Sequence, residues 1–197
     1  MFVFWERYNL KGEVSALEST IDNYDFMTDK EKMEEDAMNK EELYQYLTTK
    51  NIPYEKTEHK AVYNMEELGE VALPYPEWDA KNLFVRDDKK RNYYLITVQG
   101  DKRVDLKEFR KQHGLRNLSF ASAEDLMAIM GLIPGAVSPF GILNDAEHRV
   151  HFYLDAAFKG NPIGVHPNDN TATVWLQADT LMQLVLEHGN EGEFVEL

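Results

Sequence analysis

The sequence predicts an α+β domain, built on a mixed or largely antiparallel β-sheet with helices around it. Two observations carry that expectation. Strand-like and helix-like segments intermix without the regular βαβ rhythm of a doubly wound fold, and no internal repeat is visible. Near the middle of the chain, Asn82–Arg86 and Tyr93–Val98 are two apolar runs joined by the polar Asp87-Asp-Lys-Lys-Arg-Asn92, the pattern of a long hairpin. With 197 residues, 43% hydrophobic and 12% aromatic, the chain has ample material for one core, which argues against global disorder.

Taken in order, residues 1–37 form an acidic, poorly patterned lead, expected to be an extension that is poorly ordered alone. The expected domain is 38–197. Leu43, Tyr46 and Leu47 fall at i, i+3 and i+4, an amphipathic helix that closes before Pro53. Ile52–Thr57 reads as a short edge strand, because its proline cannot donate to a ladder. Met65–Val71 suits a short helix, ended by the turn-rich Leu73–Trp78. After the hairpin, Asp105 can cap a helix over Leu106–His113 with Gly114 as its stop. Ser122 and Asp125 make a capping box for Ala123–Met130, stopped by Gly131. Val150–Leu154 and Thr173–Gln177 are rich in β-branched and aromatic residues, hence strands. A last helix over Asp179–Glu187 sets Leu181, Leu184 and Val185 on one face.

Composition narrows the function. No cysteine means no disulfide framework, thiolate metal site or cysteine nucleophile. No apolar run approaches the roughly 18 residues of a membrane span, and the start lacks the basic region and length of a signal peptide, so the cytoplasm is the expected location and no membrane is expected as a partner. A net charge of -14 speaks against a general affinity for nucleic acid, and no DNA partner is expected. Yet residues 81–116 carry eleven Lys and Arg against five Asp and Glu, a local +6. That stretch is either a light contact face for a polyanion or a solvated hairpin and helix.

Three segments hold the candidate chemistry. Gly135-Ala-Val-Ser-Pro139, with Gly131, Pro134 and Gly141 beside it, is a stiff loop able to present carbonyls and amides to a small polar group, or else a tight linker. Lys81 opens an apolar strand, where its charge can meet a phosphate or a polarised carbonyl, or simply water. His166-Pro-Asn-Asp-Asn170 is a turn whose histidine can donate to a ribose or carbonyl, or brace the turn. A metal site is not expected: His148 and His151 are three apart at a strand start, which sets them on opposite faces, and no His-Glu-x-x-His pattern exists. No Gly-x-Ser-x-Gly elbow, Walker loop or dinucleotide fingerprint is present, so no cofactor is expected. Trp78 and Trp175 read as core or pocket walls.

Read together, Glu77-Trp-Asp-Ala-Lys-Asn-Leu-Phe-Val-Arg-Asp87, Asn92-Tyr-Tyr-Leu-Ile-Thr97, Gly131–Leu143 and His166–Thr173 resemble the family of YbaK-type proteins and the editing domain inserted in bacterial prolyl-tRNA synthetases. The resemblance runs over about 38–197 and is nearest to the free-standing ProX or PrdX branch of alanyl-tRNA(Pro) deacylases. It implies a single YbaK-like domain and a metal-independent, substrate-assisted ester hydrolase that clears alanine from mischarged tRNA(Pro). In this family a ribose hydroxyl of the substrate is thought to activate the attacking water. The family's Gly-x-x-x-Pro loop falls on Gly135–Pro139, its lysine on Lys81 and its histidine on His166, the expected catalytic set being Lys81, Gly135 and His166. Substrate contacts are then expected from Ala136, Val137, Ser138, Pro139 and Asn170, with Leu83, Phe140 and Ile142 as apolar walls. Lys89, Lys90, Arg91, Lys102 and Arg103 become the expected tRNA contacts, and prolyl-tRNA synthetase an expected partner. Two alternatives stay open: a mischarged tRNA bearing cysteine or serine, or a non-catalytic module that binds a synthetase or an amino acid.

Overall fold

The computed structural model describes residues 37–61, 73–100 and 102–197. The acidic lead, apart from Ala37, and the helix expected over Met65–Val71 lie outside the described residues. Among those residues, no helix is long and apolar enough to cross a membrane.

The order is α1 (Lys40–Thr49), β1 (Glu55–Glu58), β2 (Ala80–Asp87), β3 (Tyr93–Gln99), α2 (Leu106–Gln112), β4 (Leu118–Phe120), α3 (Ala123–Met130), β5 (Val150–Asp155), β6 (Pro162–Val165), β7 (Ala172–Gln177), α4 (Ala178–His188) and β8 (Gly192–Val195). Short 3-10 turns occupy Pro76–Trp78, Pro139–Asn144 and Ala156–Phe158. Two sheets form where the sequence suggested one. The first is three-stranded and antiparallel, in the order β1-β7-β6. The second is five-stranded and mixed, in the order β4-β2-β3-β5-β8, with β3, β5 and β8 parallel to one another.

Local chemistry explains the helix ends. Asn39 caps α1 in a reciprocal box with Glu42, and Ser122 does the same for α3 with Asp125. Asp105 accepts from the amides of Lys107 and Glu108 at the start of α2. The three strands absent from the sequence reading are short or disguised. β4 has three residues, β6 begins with a proline that only a strand start or sheet edge tolerates, and β8 begins with glycine.

One large core joins both sheets to α1, α3 and α4. It gathers Leu43, Leu47, Phe84, Leu95, Phe152, Phe158, Val174, Leu176 and Leu181, among others. A smaller cluster on the other face of the five-stranded sheet holds Val85, Ile96, Val98, Phe109 and Tyr153. Strand alternation divides β2 between them: Phe84 faces the large core, whereas Leu83 and Val85 face the small one.

Candidate active site

The two sheets touch where Asp79, just before β2, forms a parallel bridge with Gly164 of β6. Gly164 permits this close approach, because a Cβ there would lie 2.4 Å from the Trp175 ring. Beyond the bridge, β2 and β6 part into a fork, and the loop ahead of Pro139 is bonded to both arms. Asn82 of β2 donates from Nδ2 to the Val137 carbonyl at 3.0 Å. From the loop, Ser138 donates its hydroxyl to the His166 carbonyl, just past β6, and its oxygen accepts from the Phe140 amide. Thr97 of β3 donates to Asn82 Oδ1 at 2.7 Å, which fixes the Asn82 amide with its NH2 toward the loop.

Gly135 has φ +93°, a conformation that side chains with a Cβ rarely adopt, so the loop path depends on it. Gly135 and Val137 are half-exposed, while Ala136, Ser138 and Pro139 are buried. The loop therefore offers backbone rather than side chains. The His166 turn is tied down in turn: Asp169 accepts from the Thr171 amide, and Asn168 donates to the Met38 carbonyl at 2.9 Å. Asn170 lies in that same turn.

His166 braces its own turn, the second of its two expected readings. Its Nδ1 lies 2.9 Å from the Ala172 carbonyl, which can only accept, so Nδ1 carries the proton and Nε2 is left as an acceptor. Burial pushes the His166 pKa below its ordinary value, so the ring is neutral at pH 7. A second imidazole, His59, stands 6.1 Å away between ring centroids and is bonded to Thr173.

Lys81 is not joined to this set. It neighbours Asn82 on an extended strand, so the two side chains leave β2 on opposite faces. Its ammonium meets the carbonyls of Gly100 and Lys102. The expected walls are also redistributed. Phe140 and Ile142 are 1% and 0% exposed and fill the large core, and Leu83 packs with the small cluster on the far face. Their apolarity serves packing.

The basic stretch divides as well. Lys89, Lys90 and Arg91 crown an exposed hairpin turn whose amides are gathered by Asp87, and none makes an ion pair among the described residues. Arg103, after β3, makes none either among those residues. Lys102 does not belong with them: its ammonium lies 2.8 Å from the fully buried Asp155 and 2.9 Å from the Leu197 carbonyl. It neutralises a buried carboxylate, which would be costly to leave alone.

Sequence reasoning passed over Asn82, Thr97 and Asp79. Asn82 stood in the motif beside Lys81, and its place on the loop-facing side of the strand was the available signal. Asp79 is 8% exposed, its Oδ1 has no hydrogen-bond partner, and burial pushes its pKa up to about 7.

A family model described as the aminoacyl-tRNA editing domain matches residues 59–184, which span β2, the loop and His166. The prolyl-tRNA editing protein ProX of Acetoanaerobium sticklandii is 40% identical over 147 residues, covering 74% of this chain and 90% of that protein. The prolyl-tRNA synthetase associated domain-containing protein 1 of Mus musculus is 32% identical over 155 residues, covering 76% and 91%. Among solved structures, a candidate trans-editing enzyme for prolyl tRNA synthetase has a TM-score of 0.53 at 21% identity, covering 73% of this chain and 87% of the other. The hypothetical protein APE2540 has a TM-score of 0.57 at 15% identity, covering 76% and 95%. At these identities the two structures share the fold.

Proposed function

This chain belongs to the aminoacyl-tRNA editing domain family, and from that premise we propose that it is a trans-editing hydrolase that deacylates alanyl-tRNA(Pro). Prolyl-tRNA synthetase, which makes that product by mischarging, is the expected partner, and the cytoplasm the expected place. The observation that carries the site assignment is the double attachment of the loop. Asn82 holds Val137 and Ser138 holds the His166 carbonyl, so one short backbone stretch is fixed between the two sheets.

Hydrolysis adds a water oxygen to the ester carbonyl carbon, breaks the bond from that carbon to the ribose oxygen, and returns a proton to the ribose. An aminoacyl ester is already activated, so orientation and a few fixed dipoles supply much of the required acceleration. The half-exposed backbone at Gly135 and Val137 supplies those dipoles. His166, neutral with Nε2 as acceptor, takes a hydrogen bond from a ribose hydroxyl of the terminal adenosine and orients it toward the water. The Lys81 ammonium, held by main-chain carbonyls rather than by a carboxylate, attracts the adenosine phosphate. Lys89, Lys90 and Arg91, without an ion pair among the described residues, meet the tRNA backbone. Proline is spared by size, the discrimination a small pocket can enforce.

The test is deacylation of alanyl-, cysteinyl-, seryl- and prolyl-tRNA(Pro) by the wild type and by Gly135→Val. The wild type should turn over the alanyl substrate fastest and spare the prolyl one. The variant should lose at least tenfold while still unfolding cooperatively. A faster cysteinyl or seryl reaction would reassign the substrate, and binding without turnover of any of the four would make this a binding module.

A further inference from the structure

Asp79 is the buried acid that the account above leaves unused. It stands at the apex of the fork, one residue ahead of β2, where its main chain bridges Gly164 of β6; Lys81 is two positions after it, and His166 two positions after Gly164. Its main-chain carbonyl accepts from the Gly100 amide at 2.9 Å, so the backbone here is held firmly. The side chain is not held: it is 8% exposed, and Oδ1 is buried with no partner.

Buried carboxyl oxygens in proteins are almost always bonded, because an unpaired one gives up its water for nothing. Cations close at hand could have paired with this one. The two lysines that share this end of the sheet are engaged elsewhere, Lys81 with the carbonyls of Gly100 and Lys102, and Lys102 with Asp155. A carboxyl kept free of cations beside the bridge between the two sheets suits a ligand that brings its own. The aminoacyl ester does so, since its α-ammonium group is attached one carbon from the scissile carbonyl.

Resting on the editing function above, we propose that Asp79 is the binding residue for the α-ammonium group of the aminoacyl ester. The pairing selects a free amino acid ester over an N-blocked one. The raised pKa of the free protein accords with this: desolvation penalises the carboxylate until an ammonium arrives to share the site.

The experiment compares wild type with the isosteric Asp79→Asn on two substrates, alanyl-tRNA(Pro) and N-acetylalanyl-tRNA(Pro), the second lacking the cation. Asp79→Asn should lower kcat/KM for the alanyl ester at least tenfold and change that for the acetylated ester less than twofold. Asp79→Ser is the second neutral variant, with the same expectation, should the first fail to fold. Equal losses on both substrates would mean a structural role, and no loss on either would mean no role. Both overturn the proposal. A wild type inert toward alanyl-tRNA(Pro) would instead overturn the editing function itself.

Discussion

Asp79→Asn should stabilise the protein, and by an amount that grows with pH. In the folded chain Asp79 titrates near 7, against an ordinary value of 3.8. Between those values the folded state binds a proton that the unfolded chain has released, so wild-type stability falls as pH rises through the window. At about 1.4 kcal/mol per pH unit, the loss accumulates to roughly 4 kcal/mol by pH 8. Asparagine has no such titration, so the difference between variant and wild type isolates Asp79 from every other group. That subtraction is needed because His166 acts in the opposite sense: its depressed pKa makes folding more favourable as pH rises toward 6.5. Urea unfolding of both proteins at pH 4.5, 6 and 8 measures the effect. The stability difference should be small at pH 4.5 and widen by at least 2 kcal/mol at pH 8. A difference flat with pH would mean that the carboxyl is hydrated or paired in solution, and both the burial argument and the ammonium pocket would fall with it.

Asn82→Ala removes the bond to Val137 and leaves the Thr97 hydroxyl without its acceptor; it should cut alanyl-tRNA(Pro) deacylation at least tenfold, at a cost of about 1–2 kcal/mol in urea unfolding. Because His166 must be neutral to accept, kcat/KM for N-acetylalanyl-tRNA(Pro), which does not call on the Asp79 carboxylate, should fall on acidification through a pKa below 6.5, and that limb should vanish in His166→Gln. The cations should separate in effect. Lys102→Met leaves Asp155 buried without its cation and should cost roughly 3 kcal/mol of stability, whereas alanine at Lys89, Lys90 and Arg91 together should leave stability unchanged, raise KM for the tRNA and flatten its salt dependence.

The helices were legible in the sequence because their signals are local. Ser122 with Asp125, Asp105 ahead of Leu106, and the stops at Gly114 and Gly131 act within a turn of one another. The central hairpin was legible for the same reason. What escaped is tertiary. The strands divide between two sheets that are bridged at Asp79 and Gly164, residues 85 positions apart, and no periodicity encodes it. Of the site, the loop and the histidine turn stood out through their Gly, Pro and Asn content. Their attachment did not, because it runs through Asn82 and Ser138, whose partners are main-chain carbonyls and carry no sequence mark. Phe140 and Ile142 were read as walls because apolarity beside a loop looks the same whether it lines a pocket or fills a core.

The central claim is selective ester hydrolysis at the fork between the sheets, and one time course tests it most directly. Alanyl- and prolyl-tRNA(Pro), separately labelled in the amino acid, are mixed in equal amounts with catalytic wild-type protein at pH 7.5. The account predicts that alanine is released over many turnovers while the prolyl ester decays at its uncatalysed rate. Release of both at the same rate, or of neither, would contradict it.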